Sequence, residues 1–255
     1  MSANGQRVAV VTGAGTGIGA ATARLLAEKG LAVVLVGRRP DLLEENAAAI
    51  AAAGGKVHML ADDLADSTAP KRIVEGARAA FGGLDVIVNN AATIKTGPLE
   101  AYSLEDFDYH IAVNVRSIFF LVQEALPLLR ASSDAAVVNI SSVVGSIVKP
   151  GNSLYGMTKA AVEYLSKALA HELASDRIRV SCIASGSVKT PIHLLWAGSI
   201  ENAERDLVPR IPLGRMAEPE ELAYWIYQLV APETGFMTGD VLHVDGGQIL
   251  GNPEG

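Results

Sequence analysis

Tyr155 and Lys159 stand four residues apart in Ser153-Leu-Tyr-Gly-Met-Thr-Lys159, a spacing of about one turn that puts both side chains on one face of a helix. A free phenol, with a pKa of about 10, stays protonated at neutral pH. A neighbouring ammonium favours the phenolate and makes a tyrosine able to give and take a proton. Bringing the phenol down to 7 or 8 takes roughly 3–4 kcal/mol of differential interaction, and Lys159, together with a positively charged ligand beside the ring, is expected to supply it. With six tyrosines in the chain, one such spacing is an ordinary accident. Its weight comes from its company: Ser142 thirteen residues upstream, Asn114, and a glycine-rich turn near the N-terminus.

That turn, Thr12-Gly-Ala-Gly-Thr-Gly-Ile-Gly19, follows a short apolar run and precedes an alanine-rich stretch of helical length. Glycines allow tight curvature and close approach of backbone to a ligand. The helix N-terminus that follows offers free N–H groups and a partial positive charge, the chemistry of a pyrophosphate cradle. Gly15-x-Gly17-x-x-Ala20 fits the dinucleotide fingerprint. An NAD site would carry an acidic residue about 20 positions on, bound to the ribose 2′-hydroxyl, but the chain reads Leu35-Val-Gly-Arg-Arg39 there. A guanidinium is a planar fork for phosphate, so Arg38, with Arg39 beside it, suits the 2′-phosphate of NADP. Arginines after a strand are also commonly just solvated, and NAD stays the alternative.

Seven short β-branched runs must position these groups: Val8 to Thr12, Ala32 to Val36, Lys56 to Leu60, Val86 to Asn89, Ala136 to Ile140, Arg179 to Ile183 and Val241 to Val244. They alternate with amphipathic segments, as a parallel sheet covered on both faces requires. The expected fold is α/β, a Rossmann-type doubly wound parallel sheet of about seven strands with helices on both faces. Pro40 and Asp41 open the second helix and Gly54 and Gly55 close it. Ser103 with Asp106 reads as a capping box, and Pro219 with Glu220 and Glu221 starts a late helix. Between Thr190 and Pro219 no strand pattern occurs, a length that in a compact domain points to a lid over about 190–218. A surface pair of short helices with no role in binding is the plainer reading. No linker or repeat interrupts residues 1–255, so one dinucleotide-binding and catalytic domain is expected.

A net charge of −7 and a pI near 5.3 argue against a nucleic-acid partner. The N-terminus is polar and no uninterrupted stretch of ~20 apolar residues occurs, so a soluble, cytoplasmic protein without a membrane partner is expected. Cys182, the only cysteine, lies in an apolar run and reads as packing. It and the five histidines show no metal-ligand spacing, and no metal is expected.

Taken in order, the motifs resemble those of the short-chain dehydrogenases/reductases, in their standard-length branch, over nearly the whole chain. Gly13-x-x-x-Gly17-x-Gly19, Asn89-Asn90-Ala91-Ala92, Asn114, Asn139-Ile-Ser-Ser142, Tyr155 with Lys159, Ser185-Gly-Ser-Val-Lys-Thr190, Thr238-Gly-Asp240 and Val244-Asp-Gly-Gly247 carry the resemblance. It implies a nicotinamide coenzyme cradled by Gly13, Gly15, Thr16, Gly17, Ile18 and Gly19. Asp63 and Leu64 would flank the adenine, Asn90 and Ala91 would line the coenzyme, and Gly186, Val188 and Thr190 would lie at the nicotinamide. Asp63 has a plainer reading as a turn residue. The resemblance further implies hydride transfer between that coenzyme and a carbonyl or secondary alcohol. Tyr155 would exchange the proton, Ser142 hydrogen-bond the substrate oxygen, Lys159 bind the nicotinamide ribose and pass protons, and Asn114 hold a relay water. Ser142 as a cap and Asn114 as a buried, satisfied amide are the plain alternatives. Two residues depart from the family pattern. Ala92 replaces a glycine and is expected to narrow the site, while Ser185 replaces a proline and, with no fixed φ, is expected to loosen the chain after the sixth strand.

Thr93, Ile94, Val144, Asn152, His193, Leu195 and Trp196 flank the catalytic residues or lie in the lid and form the expected substrate wall. Mostly apolar or uncharged, they point to a neutral carbonyl or alcohol, with His193 and Lys189 the residues able to reverse that. The same resemblance implies a homotetramer or homodimer built on the helices from Asp106 to Leu129 and Tyr155 to Leu173 and the C-terminal strand. Rival readings are a non-catalytic nucleotide-binding sensor or scaffold, an epimerase or dehydratase, and an enoyl-reducing relative. About 65 residues after Thr190 leave little room for the second of these, and Val162 stands where the third would carry lysine.

Overall fold

The computed structural model describes residues 5–251. Strands β1 (Val8–Thr12), β2 (Ala32–Gly37), β3 (Val57–Ala61), β4 (Val86–Asn89), β5 (Ala136–Ser142), β6 (Arg179–Ser185) and β7 (Val241–Val244) form one sheet in the order β3-β2-β1-β4-β5-β6-β7. Every neighbouring pair is parallel. The expected strands are all present, but β5 and β6 each run two residues further. Ser141 pairs with Ala184 and Ser142 with Ser185, and this extension carries Ser142 to the carboxyl edge of the sheet.

The expected loosening at Ser185 does not occur. Ser185 is paired on both sides, with Ser142 and with Val244, and its Oγ donates to the Gly186 carbonyl at 2.9 Å. Where proline would fix φ, the sheet ladder and a local hydroxyl bond hold the chain.

The helices are α1 (Gly17–Glu28), α2 (Pro40–Ala52), α3 (Ala69–Phe81), α4 (Leu104–Ile111), α5 (Ser117–Ala131), α6 (Ser153–Leu173), α7 (Leu194–Ala197), α8 (Ile200–Leu207) and α9 (Pro219–Val230). Side chains along β1 alternate between the two faces, as period two demands. Val8 and Val10 join Ile73, Leu121, Leu129 and Leu173 of α3, α5 and α6, whereas Ala9 and Val11 join Leu26, Leu43, Ile50 and Ile226 of α1, α2 and α9. The capping signals act as read: Ser103 Oγ accepts from the Asp106 N–H while the Asp106 carboxylate accepts from the Ser103 N–H. At α9 the box is closed by Glu218 with Glu221.

A wide π-helical turn, Ala112–Arg116, joins α4 to α5 and contains Asn114. The continuous run Leu104–Ala131 is long and apolar enough, by length and composition, to cross a membrane, although Glu105, Asp106, Asp108, Arg116, Glu124 and Arg130 lie within it. Its apolarity has two sources, the core face of Leu121, Val122, Ala125 and Leu129 and an outer pair, Phe119 and Phe120, that is exposed. Residues between Thr190 and Pro219 hold α7, α8 and two 3-10 turns around a small core of Ala203, Leu207, Ile211 and Met216. The segment is therefore helical, and several of its residues, Trp196 and Arg210 among them, line a cavity.

Thr12 fastens the end of β1 to the end of β4. Its buried Oγ1 accepts from the N–H groups of Asn90 and Ala91, both at 3.0 Å, and donates to the Val88 carbonyl at 3.3 Å. Thr12→Val strands these groups in a dry interior, and a loss of about 2–4 kcal/mol is expected. Denaturant unfolding reads it; a midpoint equal to wild type would show that the two N–H groups find other partners.

Candidate active site

The strand order reverses between β1 and β4, the switch point at whose carboxyl ends ligands bind in open parallel sheets. A cavity of about 840 Å³ opens there, running from the glycine turn past Tyr155 to α7.

At one end the turn is built for close approach. Gly13 has φ +67°, and a Cβ on it would lie 2.8 Å from Asn90 Nδ2; one on Gly19 would lie 2.3 Å from the Gly13 carbonyl oxygen. Asn90 Nδ2 donates to the Thr12 carbonyl at 2.9 Å and so braces the turn that it also lines. Gly13, Gly15, Thr16, Gly17 and Ile18 face the cavity, but Gly19 is buried beneath them and serves packing. The first turn of α1 has no side-chain cap and no acidic residue, leaving its N–H groups for an anion. These features fit a dinucleotide pyrophosphate.

Arg38 donates to the Tyr109 hydroxyl, and Arg39 donates to Thr16 Oγ1 at 3.5 Å. Both are exposed along the cavity, with no ion pair among the described residues. Nearby, Asp62 is claimed by Arg72 at 2.6 Å. Asp63 Oδ1 accepts from the Ala65 N–H at 2.9 Å, the turn role, while its side chain stays at the cavity beside buried Leu64. Ala91, Ala92, Gly186, Val188 and Thr190 complete the lining toward the middle.

Tyr155, Ser142 and Lys159 share the centre of the cavity. A buried amide ladder holds α6 to the sheet beneath them: Asn89 Nδ2 donates to Asn139 Oδ1 at 2.8 Å, and Asn139 Nδ2 to Ser166 Oγ at 2.9 Å. Lys159 is 2 % exposed. Its Nζ donates to the Ile140 carbonyl at 2.8 Å and lies 5.5 Å from the Tyr155 ring centroid. Here the expected electrostatics are corrected. Burial pushes the Tyr155 phenol above its ordinary value, and a hydrogen bond from Ser142 offsets this only in part. Burial also pulls Lys159 down to about 8, against the nearby Cys182 and Glu163. The ammonium is turned to a carbonyl and to the ring face, so desolvation outweighs any lowering of the phenol by the cation.

Asn114 does not reach the cavity. Fully buried, it accepts from the Thr93 N–H at 2.8 Å and donates to the Thr93 carbonyl at 2.9 Å and to Thr158 Oγ1 at 3.1 Å. Both amide hydrogens are taken, and the side chain ties the loop after β4 to α6, the satisfied-amide reading. Cys182, fully buried against Ile118 and Val162 with its thiol pushed up to about 11, is packing.

Thr93, Ile94, Val144, Asn152, His193, Leu195 and Trp196 all line the far end. His193 Nε2 donates to the Val188 carbonyl at 2.8 Å, its Nδ1 is buried without a partner, and burial keeps the ring neutral. Lys189 is not there: Glu204 and Glu218 hold it at 3.2 and 2.9 Å. Sequence reasoning missed Tyr109, Lys149 and Arg210, which also line the cavity. No motif marks them: Tyr109 and Arg210 arrive from elements distant in the chain, and Lys149 from the loop between Ser142 and Tyr155.

A family model described as Enoyl-(Acyl carrier protein) reductase matches residues 13–248. The chain is 36% identical to the 3-oxoacyl-(acyl-carrier-protein) reductase of Thermotoga maritima, over 96% of this chain and 98% of that protein. It is 37% identical to the cis-4-hydroxycyclohexanecarboxylate dehydrogenase of Sinomonas cyclohexanicum, over 95% and 96% of the two chains. A solved short-chain dehydrogenase/reductase from Serratia marcescens matches with a TM-score of 0.89 at 35% identity, covering 95% of this chain and 98% of that one. The protein therefore belongs to the short-chain dehydrogenase/reductase family, an oxidoreductase family whose members generally bind NAD(P).

Lys159 titrates near 8 when folded and near 10.5 when unfolded. Between those values the unfolded chain binds more protons, so wild-type stability rises with pH across that window and carries the full burial penalty below it. Lys159→Met is expected to be more stable at pH 7 by roughly 2 kcal/mol, after allowing for the lost Ile140 hydrogen bond. The gap should narrow from pH 8 to 10.5 in calorimetric scans; a gap independent of pH would show that Lys159 titrates outside that window.

Proposed function

We propose that the protein transfers a hydride between NADP(H) and a small-molecule carbonyl or secondary alcohol, with Tyr155 as the acid/base. The observation that carries this reading is that Tyr155, Ser142 and Lys159 meet the glycine turn and Arg38 in one cavity. The bound coenzyme supplies or takes the hydride. As negative charge grows on the substrate oxygen during reduction, the Tyr155 hydroxyl donates its proton and Ser142 Oγ hydrogen-bonds the same oxygen. Burial holds the phenol above its ordinary value, so in the ligand-free site it is protonated and a weaker acid than a free tyrosine. Oxidation needs further positive charge beside the ring, and Lys159, near 8, is the group able to supply it when protonated.

The exposed Arg38 and Arg39, lacking carboxylate partners among the described residues, favour NADP over NAD. Enoyl reduction, which the matched family model's description names, is not carried to this chain, since lysine follows Tyr155 by four residues and Val162 occupies the seventh place. We further read residues 190–218 as a lid on a single catalytic domain in a cytoplasmic protein. Exposed Phe119 and Phe120 on α5 and Met157 and Tyr164 on α6 support a homodimer or homotetramer.

Tyr155→Phe is expected to lower kcat by roughly 10²- to 10⁴-fold while coenzyme affinity stays near wild type. Turnover within tenfold of wild type would remove Tyr155 from the chemistry. Arg38→Asp, which repels a 2′-phosphate, is expected to reverse the NADP to NAD ratio of kcat/KM; an unchanged ratio would mean that another residue reads the ribose.

A further inference from the structure

Charge along the cavity is uneven. Its acidic members, Asp62 and Asp63, lie at the nucleotide end with Arg38 and Arg39, whereas beyond Tyr155 and Lys159 the charged side chains are Lys149 and Arg210. These two come from separate elements, Lys149 from the loop between β5 and α6 and Arg210 from the turn that follows α8. Lys149 is half-buried, and its Nζ lies 5.4 Å from the ring centroid of Trp196. Burial and the charge of Arg210 both disfavour its ammonium, and only Asp206 opposes them. Asp206 does not line the cavity and lies 3.8 Å from Arg205. Lys189, by contrast, is satisfied by two glutamates. Two mutually repelling cations beside a partly dry cavity, with no carboxylate on the wall between them, are relieved by an anion brought from outside.

We propose that the substrate carries a carboxylate that seats between Lys149 and Arg210 beside the face of Trp196, placing its carbonyl or hydroxyl at Tyr155. The substrate class is then an oxo acid or hydroxy acid rather than the neutral compound expected from the apolar wall. This rests on the oxidoreductase reading of the same cavity. His193, whose charged form burial disfavours, adds no competing charge.

The test uses a series of small oxo acids of increasing chain length, each with its methyl ester. Two readouts run in parallel on the whole protein: coenzyme oxidation in the steady state, and tryptophan fluorescence with ligand alone. Carboxylate binding draws Lys149 off Trp196, so a saturable fluorescence change is expected with acids and not with esters. The acids should lead in kcat/KM by about tenfold or more, the order of one charge-assisted hydrogen bond. Lys149→Gln and Arg210→Gln should each remove most of that preference through the KM of the acid, and each should shift the fluorescence titration about tenfold to weaker binding. Lys189→Gln, outside the cavity, should change neither. Equal turnover and equal fluorescence response of acids and esters would overturn the carboxylate assignment and leave the oxidoreductase reading intact. Acid-selective fluorescence, lost in Lys149→Gln, with no turnover by either coenzyme would uphold the anion seat and defeat the proposed reaction.

Discussion

A lysine ammonium sealed against the sheet, donating to the Ile140 carbonyl, is the interaction around which the rest is arranged. Burying that cation is costly, and the molecule surrounds it with compensation: the ring face of Tyr155, the carbonyl at the end of β5, and Glu163 one turn along α6. Ser141 Oγ donates to the Lys159 carbonyl and reaches Glu163 Oε1, at 3.0 and 2.9 Å. The lysine is thereby locked by both ends of its residue. Tyr155 inherits its position from the same helix, but in the dry site the pair opposes charge on either member. Acid strength in such a site is decided by what enters the cavity as much as by the two residues themselves.

Rigidity around the pair comes from polar groups that never touch the cavity. Asn139 links β4, β5 and α6 through Asn89 and Ser166, and Asn114 links the loop after β4 to Thr158, the residue before Lys159. Thr12 and Asn90 do the same for the glycine turn. Each is hydrogen-bonded and all but Asn90, which also lines the cavity, are buried, the condition under which a polar group stabilises an interior instead of weakening it. The cavity face that carries Ser142, Tyr155 and Lys159 is thus mounted on strand ends whose mutual register is fixed from below, while the far wall, α7, α8 and their turns, has its own small core.

Much of this was legible in the chain. Strand runs, the helix caps at Ser103 and Pro219, and the glycine turn are local patterns, and local patterns follow from backbone geometry and periodicity that the sequence carries itself. The residues expected at the nucleotide, Gly19 apart, and the whole expected substrate wall do come together in one cavity. The family, too, is written in motifs whose order along the chain survives without any coordinates.

Other properties belong to the folded molecule alone. The direction of the Tyr155 shift could not be read from a four-residue spacing, because desolvation depends on everything packed around the ring. Asn114 became a brace only once Thr93 and Thr158 took its hydrogens, and Ser185 stayed ordered because two neighbouring strands paired with it. Lys149 and Arg210 look like solvated surface cations in the sequence, and only the packing of the segment after β6 brings them to the same space. The sequence by itself determined which chemical groups exist and which local elements carry them; tertiary structure decided their solvation and their neighbours, since dielectric and contact are properties of the assembled surroundings and not of spacing.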